Sequence, residues 1–430
     1  MAPIAASGDH RRVKSAAFLF ACGCAGAAPH WLDPARSLWP AISLALMLGG
    51  YGLRTVLQSE PSRRAPVGSS VDLPTLDVVV AARDEESVVT RLVERLTALR
   101  YPSGRLSTWV IDDGSLDRTP QLLDDLAATH ASLRVIHRPR DAGGGKSGAL
   151  NTALQQLRGE WLLVLDADAQ LQEDLLEHLL PYALDGGWSA VQLRKAVIDA
   201  DRNWLTRAQA MEMALDAVIQ QGRLSGGGVA ELRGNGQLIR RSVLEASGGF
   251  NEDTVTDDLD LSFRLLTHGA LVGILWDPPV QEEAVPGLAA LWKQRQRWAE
   301  GGLQRFFDYW PTLTSDQLSP RQRWDLACFF LLQYGLPMVS FADLSTSLVT
   351  RTPPSYWPLS FLAFSVSGLA YWRGCRNSSE GPAIPSAGPV QLLLAIVYLS
   401  HWFLVIPWVT LKMAVLPKRL VWAKTSHGEQ

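Results

Sequence analysis

Cysteine is scarce in this chain, with four in 430 residues. Cys22, Cys24 and Cys328 fall in apolar runs and Cys375 in a loop-like stretch. They do not read as a disulfide framework, and no Cys/His spacing suits a structural metal. Cys22-Gly23-Cys24 is too tight for a thioredoxin-type pair. A reducing, cytoplasmic setting for the polar part of the chain fits. Net charge is also small: 40 basic residues against 43 acidic ones leave −3. No basic balance points to nucleic acid. Internal repeats and low-complexity tracts are absent. A nucleoside-triphosphatase is disfavoured at one position. Gly143-Gly144-Gly145-Lys146-Ser147 resembles a phosphate-binding loop, but Arg140 stands where that motif wants its first glycine.

Long apolar runs are plentiful. The mean hydropathy near zero hides a segregation: residues 73–325 carry most of the charge and the flanks carry little. Five runs stand out: Ser15–Leu32, Ser37–Leu53, Leu326–Ala342, Thr352–Trp372 and Gly381–Leu411. A helix needs roughly 20 apolar residues to cross a bilayer core. The last two runs are long enough, and the second and third are at the short limit. The first contains Pro29 and His30, which makes it the weaker span candidate, and with the basic start His10–Lys14 it can be read instead as a signal peptide. The third also fits a buried core helix.

Between the flanks, strand and helix alternate. Leu76–Ala82 is a short aliphatic run suited to a buried parallel strand. Helical spacing follows over Glu85–Leu99. Further strands are expected at Thr108–Ile111, Leu133–His137 and Trp161–Leu165, with helices at Thr119–Thr129 and near Ser147–Leu157. This order predicts an α/β domain with a mainly parallel sheet, whose ligands sit at the carboxyl ends of strands. The expected organisation is as follows. Residues 1–59 form one or two membrane spans and 60–74 a linker. Residues 75–287 form the α/β domain and 288–325 amphipathic helices. Residues 326–411 form two or three spans and 412–430 a basic tail. Within 288–310, Leu288, Trp292, Trp298 and Phe306 alternate with Lys293, Arg295, Arg297 and Arg305, as in a helix lying in the membrane interface or packed on the sheet.

The acidic motifs fall where a ligand belongs. Asp112-Asp113-Gly114-Ser115 ends the second strand and Asp166-Ala167-Asp168 the fourth. Either pair alone fits a turn or a helix cap. Two pairs at the ends of strands in one sheet point instead to a shared site. Alternate residues of an extended segment face one side, so Asp166 and Asp168 can present both carboxylates to one ion. Hard oxygen ligands favour Mg²⁺ or Mn²⁺. The loop at Gly143–Ser147 opens a helix and, with Lys146, can hold an anion, or it is a flexible turn with a solvated lysine. Thr256-Asp257-Asp258-Leu259-Asp260 places three carboxylates within four residues, more than a helix cap requires. Mutual repulsion raises the pKa of at least one, which suits a general base.

Taken in order, Asp112-Asp113, Asp166-Ala167-Asp168, Thr256-Asp257-Asp258 and Gln294-Arg295-Gln296-Arg297-Trp298 resemble the signature of the family 2 inverting glycosyltransferases with a GT-A fold. The last element matches the Q-x-x-R-W motif of membrane-bound members such as cellulose and hyaluronan synthases. Asp257 stands where the family usually has glutamate. Gly144–Asn151, Glu212–Ala217, Glu231–Gln237 and Arg297–Gly302 are similar to the cyanobacterial branch that glucosylates diacylglycerol.

The resemblance implies an integral membrane enzyme, in the plasma or thylakoid membrane, with its catalytic domain in the cytoplasm. Its donor would be UDP-glucose and its acceptor diacylglycerol in the bilayer; nucleic acid has no part. It implies that Arg83, Glu85, Asp112 and Asp113 bind the uridine side, and that Asp168 and Asp166 hold Mg²⁺ or Mn²⁺ on the diphosphate with Lys146 nearby. Asp258 would be the base beside Asp257. Gln294, Arg297 and Trp298 would line the sugar and acceptor side, although Arg297 and Trp298 also fit a snorkelling arginine and an interface anchor. A processive polysaccharide synthase is the alternative that the Q-x-x-R-W motif leaves open. Three C-terminal spans would put Lys418, Arg419 and Lys424 outside, against the positive-inside rule, so either one run does not cross or the tail is an exception.

Overall fold

The computed structural model describes residues 8–32, 38–61, 73–385 and 388–416. Most of the expected linker, with Arg63 and Arg64, and the basic tail beyond residue 416 lie outside the described residues. A seven-stranded sheet organises the middle of the chain. Its strands are β1 (Leu76–Ala82), β2 (Leu106–Asp112), β3 (Leu133–His137), β4 (Trp161–Leu165), β5 (Ala190–Val197), β6 (Gln237–Arg240) and β7 (Val272–Glu282), in the order β3-β2-β1-β4-β6-β5-β7. All pairings are parallel except those of β6, which runs antiparallel to β4 and β5.

The central strands are buried on both faces, which is why β1 and β4 read as unbroken aliphatic runs. Alternate residues serve opposite cores. Val78, Val80, Leu163 and Leu165 pack with Leu92 and Leu96 of α3 (Val89–Thr97) and with Leu176 and Leu179 of α6 (Leu175–Asp185). Val79, Leu162 and Val164 pack with Ala149 and Leu150 of α5 (Gly145–Leu154) and with Leu261 and Leu265 of α9 (Asp257–Thr267). The register pairs Ala82 with Asp112 and Val80 with Leu165. The segments that follow β1, β2 and β4 therefore leave one edge of the sheet together, and three of the acidic and basic motifs ride on them.

The remaining helices of the domain are α4 (Thr119–Thr129), α7 (Trp204–Ser225), α8 (Arg241–Ala246), α10 (Leu288–Asp308) and the short α11 (Trp310–Leu313). Residues 288–308 form one helix, with two of its arginines turned inward. Arg295 and Arg305 are buried because each meets a carboxylate: Glu212 at 2.5 Å and Glu231 at 3.0 Å.

The flanks form α1 (Gly8–Leu32) and α2 (Trp39–Gln58) before the sheet. After it come α12 (Pro320–Phe330), a π-helical turn (Leu331–Gly335), α13 (Leu336–Thr350), α14 (Trp357–Asn377), α15 (Pro389–Leu399) and α16 (Trp402–Val415). By length and composition, four stretches among the described residues can cross a membrane: His10–Leu32, Trp39–Gln58, Pro320–Thr350 and Pro389–Val415. Of the five apolar runs, the fourth is not among these stretches. The run at Thr352–Trp372 becomes α14, whose serines, glycine and tryptophans dilute its hydropathy. The first run, with its Pro29, nevertheless forms a 25-residue helix.

Polar contacts tie the flanks to the domain. Arg11 donates to Asp308 at the end of α10 at 2.8 Å, and Arg12 donates to the carbonyl of Val415 at 3.1 Å. Arg194 on β5 donates to the Glu380 carbonyl at 2.8 Å, and the Ser379 hydroxyl to Asp277 at 2.7 Å. The start of α1 and the exit of α14 thus lie against the α/β domain or its last helices, and the end of α16 lies against the start of α1.

Candidate active site

A cavity of about 1600 Å³ opens at the carboxyl edge of the sheet and runs on between the flanking helices. Arg83, Glu85, Lys146, Asp166, Asp168, Asp257, Asp258, Gln294, Arg297 and Trp298 all line it. The separate motifs of the sequence therefore converge on one space.

Asp112 and Asp113 do not line that space. Each is about 3% exposed. Asp112 accepts from the Ser115 amide at 3.0 Å and shares a hydrogen bond with His137 Nδ1 at 3.0 Å. Asp113 pairs with Arg138 and, at 3.4 Å, with Arg83. The pair thus stands behind the wall and steadies Arg83, which forms part of it.

After β4, Asp166 accepts from Lys146 Nζ at 2.5 Å, and its own amide donates to Asn235 Oδ1 at 3.1 Å. Burial by itself would raise Asp166, but Lys146, with Lys195 and Arg297 behind it, brings it below the usual carboxylate range. Lys146 is driven upward in turn: Asp166, Asp257 and Asp258 outweigh its burial. Asp168 has the opposite fate. Burial, then the nearby charges of Asp166 and Glu282, push it up to about 7. Asp166 and Asp168 both face the cavity, and their hard carboxylate oxygens suit a divalent cation. Among the described residues no group of three or more His, Cys, Asp or Glu forms a metal cage. A Mg²⁺-like ion would then take its remaining ligands from substrate phosphate and water, as such ions usually do.

Asp257 and Asp258 open the first turn of α9, where the helix dipole favours negative charge. Burial, followed by the Asp257 charge, pushes Asp258 up to about 6. Asp260 is different. It is buried and accepts from Asn251 at 3.0 Å, Arg264 at 2.7 Å and Tyr309 at 2.9 Å, so it anchors the start of α9. Thr256 occupies the N-cap position but makes no capping hydrogen bond. Its side chain packs on α10 instead. A Cβ added to Gly301 would lie 2.1 Å from Thr256 Oγ1. Gly301→Ala is therefore expected to push the Asp257–Asp258 turn out of place. Activity should fall severalfold or more and thermal stability by about 1–3 kcal/mol, read by turnover and by thermal melts of the purified protein.

On α10, Gln294, Arg297 and Trp298 face the cavity, and the buried Oε1 of Gln294 finds no hydrogen-bond partner among the described residues. Arg295 faces the other way. It binds Glu212 at 2.5 Å and the Tyr398 hydroxyl at 2.7 Å, and its guanidinium lies 4.0 Å from the Trp298 ring centroid. Trp402 and Tyr398 also donate to Glu212, at 3.1 and 2.8 Å. The flanking helices thereby hold the tryptophan plane. Lys195, which the motifs did not single out, joins the site from β5, paired with Glu282 at 2.8 Å. Beneath the cavity floor, Glu231 is fully buried among Arg223, Arg233 and Arg305 at 3.0–3.5 Å. Burial would raise its pKa, but the three arginines draw it down to about 2.

A family model described as glycosyltransferase like family 2 matches residues 74–301. The chain belongs to glycosyltransferase family 2. In this family 2 chain the matched stretch runs from the entry of β1 to Gly301, the contact of α10 with Thr256, so it takes in every motif of the cavity wall. A β-monoglucosyldiacylglycerol synthase of Synechocystis sp. is 42% identical over 430 residues, spanning 98% of this chain and 89% of that protein. One from Nostoc sp. is 40% identical over 390 residues, spanning 90% and 83%. A mannosyltransferase from Pyrobaculum calidifontis, solved with GDP-Man and Mn²⁺, has a TM-score of 0.56 at 22% identity and covers 84% of this chain and 98% of that one. That likeness concerns the fold: a GT-A-like α/β sheet of mainly parallel strands.

Proposed function

We propose that this chain is an inverting glucosyltransferase that transfers glucose from UDP-glucose to 1,2-diacylglycerol, giving β-monoglucosyldiacylglycerol, a precursor of galactolipids. The observation that carries the reading is the continuity of the cavity. Asp258 and the strand-edge carboxylates share one space with Leu48, Leu336, Leu359 and Phe403 of the flanking helices. A hydroxyl carried on a lipid can reach the base from the apolar side. The activity for which these relatives are named agrees.

In this reading Arg83 and Glu85 bind the uridine side, with Asp113 and Asp112 behind them. Asp168 and Asp166 hold Mg²⁺ or Mn²⁺ against the diphosphate. When bound, that ion supplies Lewis-acid stabilisation of the charge that builds on the leaving UDP. Lys146 and Arg297 add positive charge on the same wall. Asp258 takes the proton from the glycerol 3-hydroxyl as that oxygen attacks the anomeric carbon from the face opposite UDP, so the configuration inverts. Trp298 offers its ring to the sugar, and Gln294 its unpartnered amide oxygen to a substrate hydroxyl.

Nucleotide sugars are cytoplasmic, so the α/β domain faces the cytoplasm in this reading. The decisive experiment supplies the full chain in mixed micelles with UDP-glucose, with and without diacylglycerol. A β-linked glucolipid that forms only with diacylglycerol is expected. Long glucan made without lipid acceptor would replace this reading with that of a processive synthase.

A further inference from the structure

We infer that the half of the cavity walled by α2, the π turn, α14 and α16 is an acyl-chain site, and that Ala363 and Leu359 on α14 set which chains it accepts. The inference rests on the lipid-acceptor reading above and adds to it where the chain lies. Ligand pockets commonly span about 300–1,000 Å³, so a cavity of about 1600 Å³ has room for more than a nucleotide sugar. Its two halves differ in chemistry. The strand-edge half carries the carboxylates and lysines. The other half is faced by Leu48, Leu336, Leu359, Ala363, Val366 and Phe403.

A growing sugar chain buries many hydroxyls, each needing a partner, and the hydroxyls on this wall, those of Tyr51, Thr55 and Ser367, are already donated to Asp325 and to the carbonyls of Tyr51 and Ala363. An acyl chain needs only shape. Between the halves stands Gln333, on the π-helical turn, a kind of irregularity often found at functional sites. Its buried Oε1 finds no partner among the described residues. It marks the inner limit to which a hydroxyl-bearing group is welcome.

The width of the apolar half is set by close helix contacts. A Cβ on Gly49 of α2 would come 2.0 Å from Leu362 Cδ2 on α14, and one on Gly52 would meet Val366 Cγ1 at 3.3 Å. α2 and α14 thus lie too close for a side chain at Gly49. Phe364 and Phe403 stack with ring centroids 5.5 Å apart and join α14 to α16 along the same wall. Ala363, one helical turn beyond Leu359, is the small residue on that face, so a larger side chain there fills the space a chain would use.

The test measures kcat/KM for dioctanoyl-, dipalmitoyl- and dioleoylglycerol at matched surface fraction in mixed micelles, with UDP-glucose affinity measured alongside. Ala363→Phe should lower dipalmitoyl relative to dioctanoyl use by about tenfold or more and leave donor affinity unchanged. Leu359→Ala should shift preference the other way, toward the kinked dioleoyl acceptor. Equal loss on all acceptors, or unchanged selectivity in either variant, overturns the acyl-chain site. If Ala363→Phe fails to fold, Leu359→Ala alone decides. Failure of the unmutated protein to make any glucolipid would instead overturn the proposed function, so the two failures are separable.

Discussion

Asparagine in place of Asp258 is expected to leave UDP-glucose bound and to cut glucosyl transfer by about 10²–10⁴-fold. Arg83, Glu85, Asp166 and Asp168 line the cavity; in the proposed mechanism they face the donor and Asp258 faces the acceptor. An alcohol is a weak nucleophile until its proton leaves, so the loss falls on kcat and not on donor affinity. Stability separates this from unfolding. A folded-state carboxyl pKa near 6 lies above the ordinary value near 4. Its ionisation therefore opposes folding between those pH values, and above pH 6 the full cost is present. Asp258→Asn removes that cost, so the melting temperature at pH 7 should stay level or rise.

The pH profile gives a second reading of the same group. A base with a pKa of about 6 works only when deprotonated, so kcat/KM should fall tenfold per unit as pH drops below about 6. Asp257→Asn removes the like charge that helps raise Asp258, so the acid limb should move to lower pH while activity at pH 7 changes less. Asp260→Asn should act on stability, through lost contacts to Arg264 and Tyr309. A dead Asp257→Asn beside a fully active Asp258→Asn would move the base by one residue. Full activity in all three would make the cluster structural.

Asp168→Asn is the second large effect. Removing one of two carboxylates from the strand-edge wall should lower turnover by about 10³-fold or more, since a metal acting on the leaving diphosphate supplies several kcal/mol. Donor affinity should fall with it, unlike the Asp258 variant, and titration calorimetry with UDP and Mg²⁺ reads that directly. Chelation by EDTA should silence the unmutated enzyme, and Mg²⁺ or Mn²⁺ should restore it. Full turnover in EDTA would remove the metal from the mechanism.

Much of this was legible from local patterns. The runs Leu76–Ala82, Leu133–His137 and Trp161–Leu165 and the helix Thr119–Thr129 match their elements residue for residue; for β1 and β4 the reason is that buried parallel strands are written as aliphatic runs closed by turn residues. The later strands were not legible. β6 has four residues, and β7 contains Pro278 and Pro279, which argue against a strand in isolation. A register shift between Leu193 and Lys195 accommodates β7 beside β5. Only pairing across the sheet makes these segments strands.

The site divides in the same way. The identity of its groups is a matter of sequence: the carboxylates that follow β4 and open α9, Lys146 at the start of a helix, and the aromatic and basic residues of α10. Local covalent order places such groups at strand ends and helix starts, whatever the rest of the chain does. Tertiary structure decided which way each one faces. Asp112 and Asp113 turn behind the wall to Ser115, His137, Arg138 and Arg83, while Lys195 enters from a strand with no motif. Arg295 and Arg297, two residues apart on one helix, part company: Glu212 and Tyr398 hold the first, and the second lines the cavity. Tertiary structure also joined the charged edge of the sheet to an apolar space between distant helices. The physical reason is that burial, partner choice and cavity shape depend on residues far apart in the chain, which no local pattern encodes.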